Sequence, residues 1–293
     1  MPTAFDIGQF PEGNGIALVK LKFISFLSSD RKRTELLESI MKKLFVAGNW
    51  KMNTNSQSSV DLAKRLASGS VESAAHTVTV AVFPPFVYLA SVNKALDGSS
   101  IATGAQDFYF ESDGAFTGEI SVSMLKDIGC NYCLCGHSER RHVIGETDEL
   151  INKKVTAAIS GGLLPVLCIG ELLSERKASQ TNDVVTRQLE KGLAGLSEEK
   201  LGAVTIAYEP VWAIGTGLTA TPQQAQEVHE FIRNLLTQMY NKQAADEIRI
   251  LYGGSVKPDN AAELMGQKDV DGVLVGGASL KADDFLSIIE AAI

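Results

Sequence analysis

The sequence has few cysteines, no long uninterrupted apolar stretch and no excess of positive charge. Four cysteines in 293 residues are too few for a disulfide framework and are typical of a reducing, cytoplasmic protein. The formal net charge of −8 argues against nucleic acid or an anionic membrane as the partner. What is present is ordinary globular composition, 45 % hydrophobic and 21 % charged, which permits a sizeable core.

The first forty residues differ from the rest of the chain. Asp6 and Glu12 precede the apolar run 16–27, and Lys20 and Lys22 interrupt that run, so the segment fits neither a secretory signal nor a membrane span of about 20 apolar residues. An ordinary chain start follows at Met41. We therefore expect residues 1–40 to be a dispensable, disordered extension or a mis-called start, and residues 41–293 to form one catalytic domain. An intact peptide from residues 1–30 in the mass spectrum of the native protein would contradict the mis-called start.

Short apolar runs alternate with amphipathic stretches from Leu44 onward. This alternation predicts an α/β fold with a parallel sheet and right-handed crossovers. Eight units in about 250 residues favour a closed (β/α)8 TIM barrel over a doubly wound open sheet. The predicted strands are Leu44–Gly48, Val78–Phe83, Ile101–Ala105, Asn131–Cys135, Leu163–Ile169, Ala203–Tyr208, Ile248–Tyr252 and Asp271–Val275. The predicted helices include Ser59–Ala67, Phe86–Leu96, Asp148–Ser160, Asn182–Leu193, Pro222–Tyr240 and Asp283–Ala292.

One carboxylate ends the sixth predicted strand, ahead of a glycine-tipped loop. Glu209 follows an apolar, β-branched run, and Pro210 stops the strand. Apolar surroundings disfavour an ionised carboxylate, so we expect the pKa of Glu209 to be raised toward the range of a general base. Chemistry in a barrel lies at the carboxyl ends of the strands. Glu209 is thus the first catalytic candidate, and a surface glutamate that merely ends a strand is the alternative.

Two other strand ends carry polar side chains. Asn49 and Lys51 follow the first strand two residues apart, so strand alternation points both toward the barrel mouth. His137 follows the fourth strand. If a short helix opens at Ser138, its positive end lowers the pKa of His137 and keeps the imidazole neutral. A solvated lysine and a structural histidine are the alternatives.

Three glycine-bearing turns suit an anion, because glycine lets backbone N–H groups approach it closely. The turns are 214–217, 252–256 and 275–278, and the last two follow strands seven and eight, where barrels commonly bind phosphate. Simple tight turns are the alternative.

Two competing motifs have the wrong context. Residues 215–220 match the G-x-G-x-x-A dinucleotide fingerprint, but the strand does not run directly into the glycines and no acidic residue stands about 20 positions later. Cys130, Cys133 and Cys135 lie in a short apolar run without a fourth ligand at zinc-finger spacing. We expect no cofactor and no bound metal.

Several segments in order resemble the triosephosphate isomerase family from about Met41 to the C-terminus. They are Gly48–Asn53, Gly114–Glu119, Gly136–Arg141, Cys168–Glu171, Tyr208–Gly217, Tyr252–Val256 and Gly276–Gly277. The resemblance implies interconversion of dihydroxyacetone phosphate and glyceraldehyde 3-phosphate through an enediolate, in glycolysis and gluconeogenesis. It implies Glu209 as the base, His137 as the neutral group that polarises the carbonyl, and Lys51 and Asn49 as enediolate stabilisers.

The resemblance also implies the substrate contacts and the assembly. Backbone N–H groups of Gly215, Ser255, Gly276 and Gly277 would bind the substrate phosphate. Thr117 would lie on a loop that reaches the partner subunit's site in a homodimer.

Two other functions stay open at this point. One is an aldolase-type lyase that uses Lys51 as a Schiff-base nucleophile. The other is a barrel that has lost catalysis and serves as a binding protein.

Overall fold

Eight parallel strands hydrogen-bond in chain order in the computed structural model, and the last pairs with the first. The predicted TIM barrel is therefore confirmed. Each predicted strand agrees with the structure to within two residues at either end. The strands are β1 (Leu44–Asn49), β2 (Val78–Phe83), β3 (Ala102–Ala105), β4 (Tyr132–Cys135), β5 (Leu164–Ile169), β6 (Thr205–Tyr208), β7 (Arg249–Tyr252) and β8 (Gly272–Val275).

The helices lie between the strands, and several short ones were not predicted. The α-helices are α1 (Ser56–Ala67), α2 (Leu89–Ala95), α3 (Val122–Asp127), α4 (Asp148–Ser160), α5 (Leu173–Lys177), α6 (Thr181–Gly192), α7 (Glu198–Leu201), α8 (Pro222–Met239), α9 (Lys242–Glu247), α10 (Ala261–Met265) and α11 (Ala282–Glu290). Helical turns of other types span Phe86–Tyr88, Arg140–Ile144, Val211–Ala213 and Gly277–Leu280.

The helix starts follow their capping residues. Helix α1 begins three residues before its predicted start, because the Asn55 side chain accepts the N–H groups of Gln57 and Ser58 in a capping box. Helix α8 begins where it was predicted. The Thr221 hydroxyl accepts the Gln224 N–H at 3.1 Å, and Pro222 occupies the first turn.

Strand alternation sorts the side chains into two apolar layers. Phe45 and Ala47 of β1 pack inside the barrel, whereas Val46 packs outward against the helices. Ala207 of β6 likewise faces inward and Tyr208 outward. Glu209 comes next and is 2 % exposed, so the same alternation directs its carboxylate into the mouth of the barrel.

The structure describes residues 42–69, 77–214 and 219–293, and Lys43–Ile293 gather into one unit by their contacts. The extension expected at residues 1–40 lies outside these residues and stays a prediction. In these ranges no helix combines the length and the apolarity needed to cross a membrane. All four cysteines are free and buried, and the described residues contain no group of three or more acidic, histidine or cysteine side chains that could hold a metal.

Candidate active site

The carboxyl ends of the strands surround a cavity of about 670 Å³. It brings together most of the residues that the sequence predicted, from five different strand ends. These are Asn49, Lys51, His137, Glu209, Ser255, Gly276 and Gly277. Gly215, also predicted, lies outside the described residues.

Both carboxylate oxygens of Glu209 have partners in the buried wall of this cavity. Oε1 lies 2.8 Å from Nε2 of His137, and Oε2 accepts the backbone N–H of Ser138 at 2.8 Å. Ser138 opens the helical turn after β4, as expected, but its N–H points to Glu209 and not to the histidine. The structure thus places the two catalytic candidates in direct contact.

This contact reverses both predicted pKa shifts. Burial opposes the ionisation of Glu209, but His137, the Ser138 N–H and Lys51 outweigh it and lower the pKa of Glu209. Burial also opposes charge on His137, but the Glu209 carboxylate outweighs it and raises the pKa of His137. The predictions were wrong for this arrangement because they treated each group without the other.

A backbone contact opposes the protonation of His137 that Glu209 favours. The N–H of Glu139 donates to Nδ1 of His137 at 3.3 Å. A nitrogen that accepts this bond cannot carry a proton of its own, so the proton of a neutral imidazole lies on Nε2. In its neutral form His137 therefore carries its N–H on Nε2, the nitrogen that contacts Glu209, and this is the state that carbonyl polarisation requires.

Lys51 is held in an unusual backbone conformation. Its φ of +51° is in the left-handed region, which is uncommon for a residue with a side chain and costs on the order of 1 kcal/mol or more. Gln106 fixes this turn, because its Nε2 donates to the carbonyl oxygens of Lys51 and Phe83, each at 2.8 Å. Nζ of Lys51 forms an ion pair with Oε1 of Glu139 at 2.7 Å. The lysine is placed as a cation beside the cavity.

Two glycines allow the neighbouring backbone to approach Glu209. A Cβ at Gly253 would stand 2.8 Å from Cγ of Glu209, and a Cβ at Gly170 would overlap its carbonyl oxygen. Gln188 fixes Gly170 by accepting its N–H at 2.7 Å and donating to its carbonyl oxygen at 3.3 Å. Sequence reasoning included Gly170 only as part of a family segment and did not consider Gln188, since the close approach becomes visible only once β5 and β6 are paired.

Gly170→Ala is expected to displace Glu209, because the new methyl group has no space beside its carbonyl oxygen. We expect kcat to fall by roughly 10²-fold, as a misplaced catalytic group costs, and the protein to lose about 1–3 kcal/mol of stability through overpacking. Gly202→Ala is the matched control, since a Cβ there meets nothing within 4 Å. Steady-state rates and urea unfolding measure both effects, and equal behaviour of the two variants would refute the close-approach argument.

A second carboxylate supports the start of the loop after β6. Sequence reasoning did not predict it as a site residue. Glu171 is fully buried and accepts bonds from the Tyr208 hydroxyl at 3.0 Å and the Trp212 indole N–H at 2.9 Å. Arg176 pairs with this carboxylate at 3.1 Å and stacks on the Trp212 ring. Glu171 therefore fixes the backbone on both sides of Glu209.

Thr117 lies apart from the cavity in an exposed loop. Residues 111–119 are all exposed, yet the loop is ordered by packing of Tyr109 on Phe116 and by a bond from the Tyr109 N–H to the Ile120 carbonyl at 2.8 Å. Thr117 does not line the cavity that holds the catalytic candidates of its own chain.

The family model for triosephosphate isomerase matches residues 44–292. A triosephosphate isomerase of Carboxydothermus hydrogenoformans is 53 % identical over 253 residues, which cover 86 % of this chain and 100 % of the relative. That of Rhodopirellula baltica is 50 % identical over 86 % of this chain and 98 % of the relative, and that of Herpetosiphon aurantiacus is 51 % identical over 85 % and 99 %. The resemblance seen in the sequence is thereby confirmed: the chain belongs to the triosephosphate isomerase family.

Proposed function

We propose that this protein interconverts dihydroxyacetone phosphate and D-glyceraldehyde 3-phosphate, with Glu209 as the base that moves the proton between carbons. The observation that carries the proposal is the convergence of a carboxylate, an imidazole N–H and an ammonium group on one cavity that glycine turns also line. No cofactor enters the reaction, because the aldose and the ketose differ only in the positions of two hydrogens.

Each group has one task in the reaction. Glu209 takes a proton from the carbon next to the carbonyl and returns it to the neighbouring carbon. His137 donates its Nε2–H to the substrate oxygens and transfers protons between them. Lys51, with Asn49 beside it, stabilises the negative charge of the enediolate. A positioned base contributes roughly 10²- to 10⁴-fold, so the oxyanion contacts supply much of the remaining acceleration.

Substrate binding frees the base. At rest the Nε2–H of His137 is directed to Oε1 of Glu209, so an entering carbonyl oxygen competes for the same proton donor. Once that oxygen takes the donor, Oε1 loses its partner and Glu209 turns to the substrate carbon. When the Glu209 carboxylate moves away from the imidazole and the Ser138 N–H, it loses contacts that lower its pKa. The carboxylate is then a stronger base at the step that removes the substrate proton.

The glycine turns at Ser255, Gly276 and Gly277 bind the phosphate, supported by their place in the cavity and by the lack of side chains on the two glycines. The backbone N–H of Gly215 is predicted to complete this phosphate site, and it lies outside the described residues. Phosphate binding far from the reacting carbons provides energy for ordering the site.

The proposal is tested by incubating the protein with either triose phosphate in D2O and following isomerisation and carbon-bound deuterium by ¹H NMR. We expect isomerisation in both directions, with deuterium at the carbon that Glu209 reprotonates. A protein that exchanges no carbon-bound hydrogen would refute the isomerase. An adduct of the substrate with Lys51 that borohydride reduction traps would refute it as well and would favour the Schiff-base lyase.

We infer further that the protein is a homodimer in which the Thr117 loop enters the partner's groove. A groove of about 660 Å³ lies beside the active site and is lined by Lys51, Met52, Val143 and Ile144. Met52 and Val143 are 95 % and 78 % exposed in the single chain, which is typical of an interface. A two-fold dimer fills each groove with the other subunit's ordered loop.

Val143→Glu is expected to shift the protein to monomers, because a charge buried in the interface has no partner. Ile293→Glu, at another exposed apolar residue outside the groove, is expected to leave the dimer intact. Sedimentation velocity at micromolar concentration distinguishes the two. A wild-type protein that sediments as a monomer would rule out this assembly. The free, buried cysteines support a reducing, cytoplasmic setting. The family to which the chain belongs supports a role in glycolysis and gluconeogenesis.

A further inference from the structure

Strand pairing between β1 and β8 stops one residue before the site begins. The last paired residues are Gly48 and Val275. The next residues along the two strands are Asn49, which leads to Lys51, and Gly276, which begins the phosphate turn. The two parts of the site are therefore adjacent, but no strand pairing joins them.

A single buried hydroxyl bridges this gap. Ser279 has no exposed surface, and its Oγ lies 2.7 Å from the carbonyl oxygen of Gly276 and 3.4 Å from that of Asn49. The one hydroxyl proton is shared between these two acceptors, with Gly276 taking the stronger bond. The Ser279 N–H also donates to the Gly276 carbonyl at 2.9 Å.

Packing leaves this hydroxyl little freedom. Gly48 faces Ser279 so closely that a Cβ at Gly48 would stand 3.0 Å from Cβ of Ser279. On the other side of the turn, a Cβ at Gly276 would lie 3.5 Å from Cε of Lys51. The end of the Lys51 side chain thus lies close enough to the phosphate turn that a methyl group on Gly276 would just fill the space between them. Ser279 links the two backbone segments from which the lysine and the turn extend.

We propose that Ser279 is a positioning residue, whose hydroxyl holds the Gly276–Gly277 turn in register with Asn49 and Lys51. It extends the β1–β8 ladder by one side-chain bridge. The substrate phosphate then binds the turn and the enediolate binds Lys51 and Asn49, with the distance between these two parts of the site already fixed. This inference rests on the proposed function, because it concerns the same phosphate turn.

The test compares Ser279→Ala with Ser59→Ala. Both changes remove one fully buried hydroxyl that donates to a carbonyl oxygen, and Ser59 donates to Ser56 within α1, outside the cavity. The readouts are KM and kcat for glyceraldehyde 3-phosphate, the inhibition constant of inorganic phosphate, and the midpoint of thermal unfolding.

We expect Ser279→Ala to raise both KM and the inhibition constant of phosphate by roughly 5- to 10-fold, the loss typical of one hydrogen bond, and to lower kcat because Lys51 loses its register with the turn. Ser59→Ala is expected to change only the unfolding midpoint. If Ser279→Ala also changes only the midpoint, or leaves phosphate inhibition unaltered, Ser279 merely packs and the inference is overturned while the isomerase assignment stands. An inactive wild-type protein would instead overturn the proposed function and this inference with it.

Discussion

Glu209→Gln is expected to lower kcat by about 10²- to 10⁴-fold, the usual contribution of a general base. Glutamine keeps the length and shape of the side chain, but its amide cannot accept the substrate proton. The fold should persist, because the change does not open a cavity and the amide oxygen can still accept the Ser138 N–H, so that only the contact with His137 is lost. Coupled assays in both directions measure the rate, and circular dichroism checks the fold.

Two further variants sharpen this test. Glu209→Asp keeps a carboxylate on a shorter side chain, so we expect activity between those of the wild type and Glu209→Gln. Glu149→Gln removes an exposed carboxylate that pairs with Lys191, and its rate should match the wild type. Full activity in Glu209→Gln would exclude Glu209 as the base, whatever the other variants do.

Lys51→Met is expected to lower kcat/KM by about 10²- to 10³-fold, the cost of removing one group that stabilises an oxyanion. Methionine is similar in length but carries no charge, so the enediolate loses its nearest cation. Because Lys51 and Gly276 line the same cavity, we expect weaker inhibition by inorganic phosphate as well. Progress curves with and without phosphate measure both losses.

Lys191→Met provides the matched control. Lys191 and Glu149 form an ion pair with the same N–O distance, 2.7 Å, as Lys51 and Glu139. Both variants therefore break one partly or fully exposed pair, which is worth little to stability, but only one removes a charge from the cavity. A comparable loss of activity in both would show that Lys51 acts through general electrostatics and not at the reacting oxygen.

Local patterns predicted the fold because each strand carries its own signal. Apolar, β-branched runs such as β6 and capping boxes such as that of Thr221 depend on neighbours in sequence. The short helices α9 and α10 were missed, because five or six residues are too few to show a helical period. The capping box of Asn55 was missed although the sequence contains it. Its pair, asparagine with serine three residues later, is a weaker helix-start signal than threonine with glutamine three residues later, the pair at Thr221.

The site was predicted in part for the same reason. Polar residues at strand ends are visible one at a time, and they were found. What the sequence could not predict is how they contact one another across the barrel. The pKa shifts of Glu209 and His137 depend on a contact between residues 72 positions apart, and the turn at Lys51 depends on Gln106 from another strand end.

The pairing of the first strand with the last has a consequence for biosynthesis. The cavity takes residues from position 49 to position 284, and β8 must be present before it can pair with β1. A nascent chain on the ribosome therefore has no complete cavity until its final segment has emerged, and such distant contacts form slowly. Activity is then the last property to appear on refolding, after most of the secondary structure. The delay between the recovery of secondary structure and the recovery of activity therefore reports the time that β8 takes to pair with β1 and close the barrel.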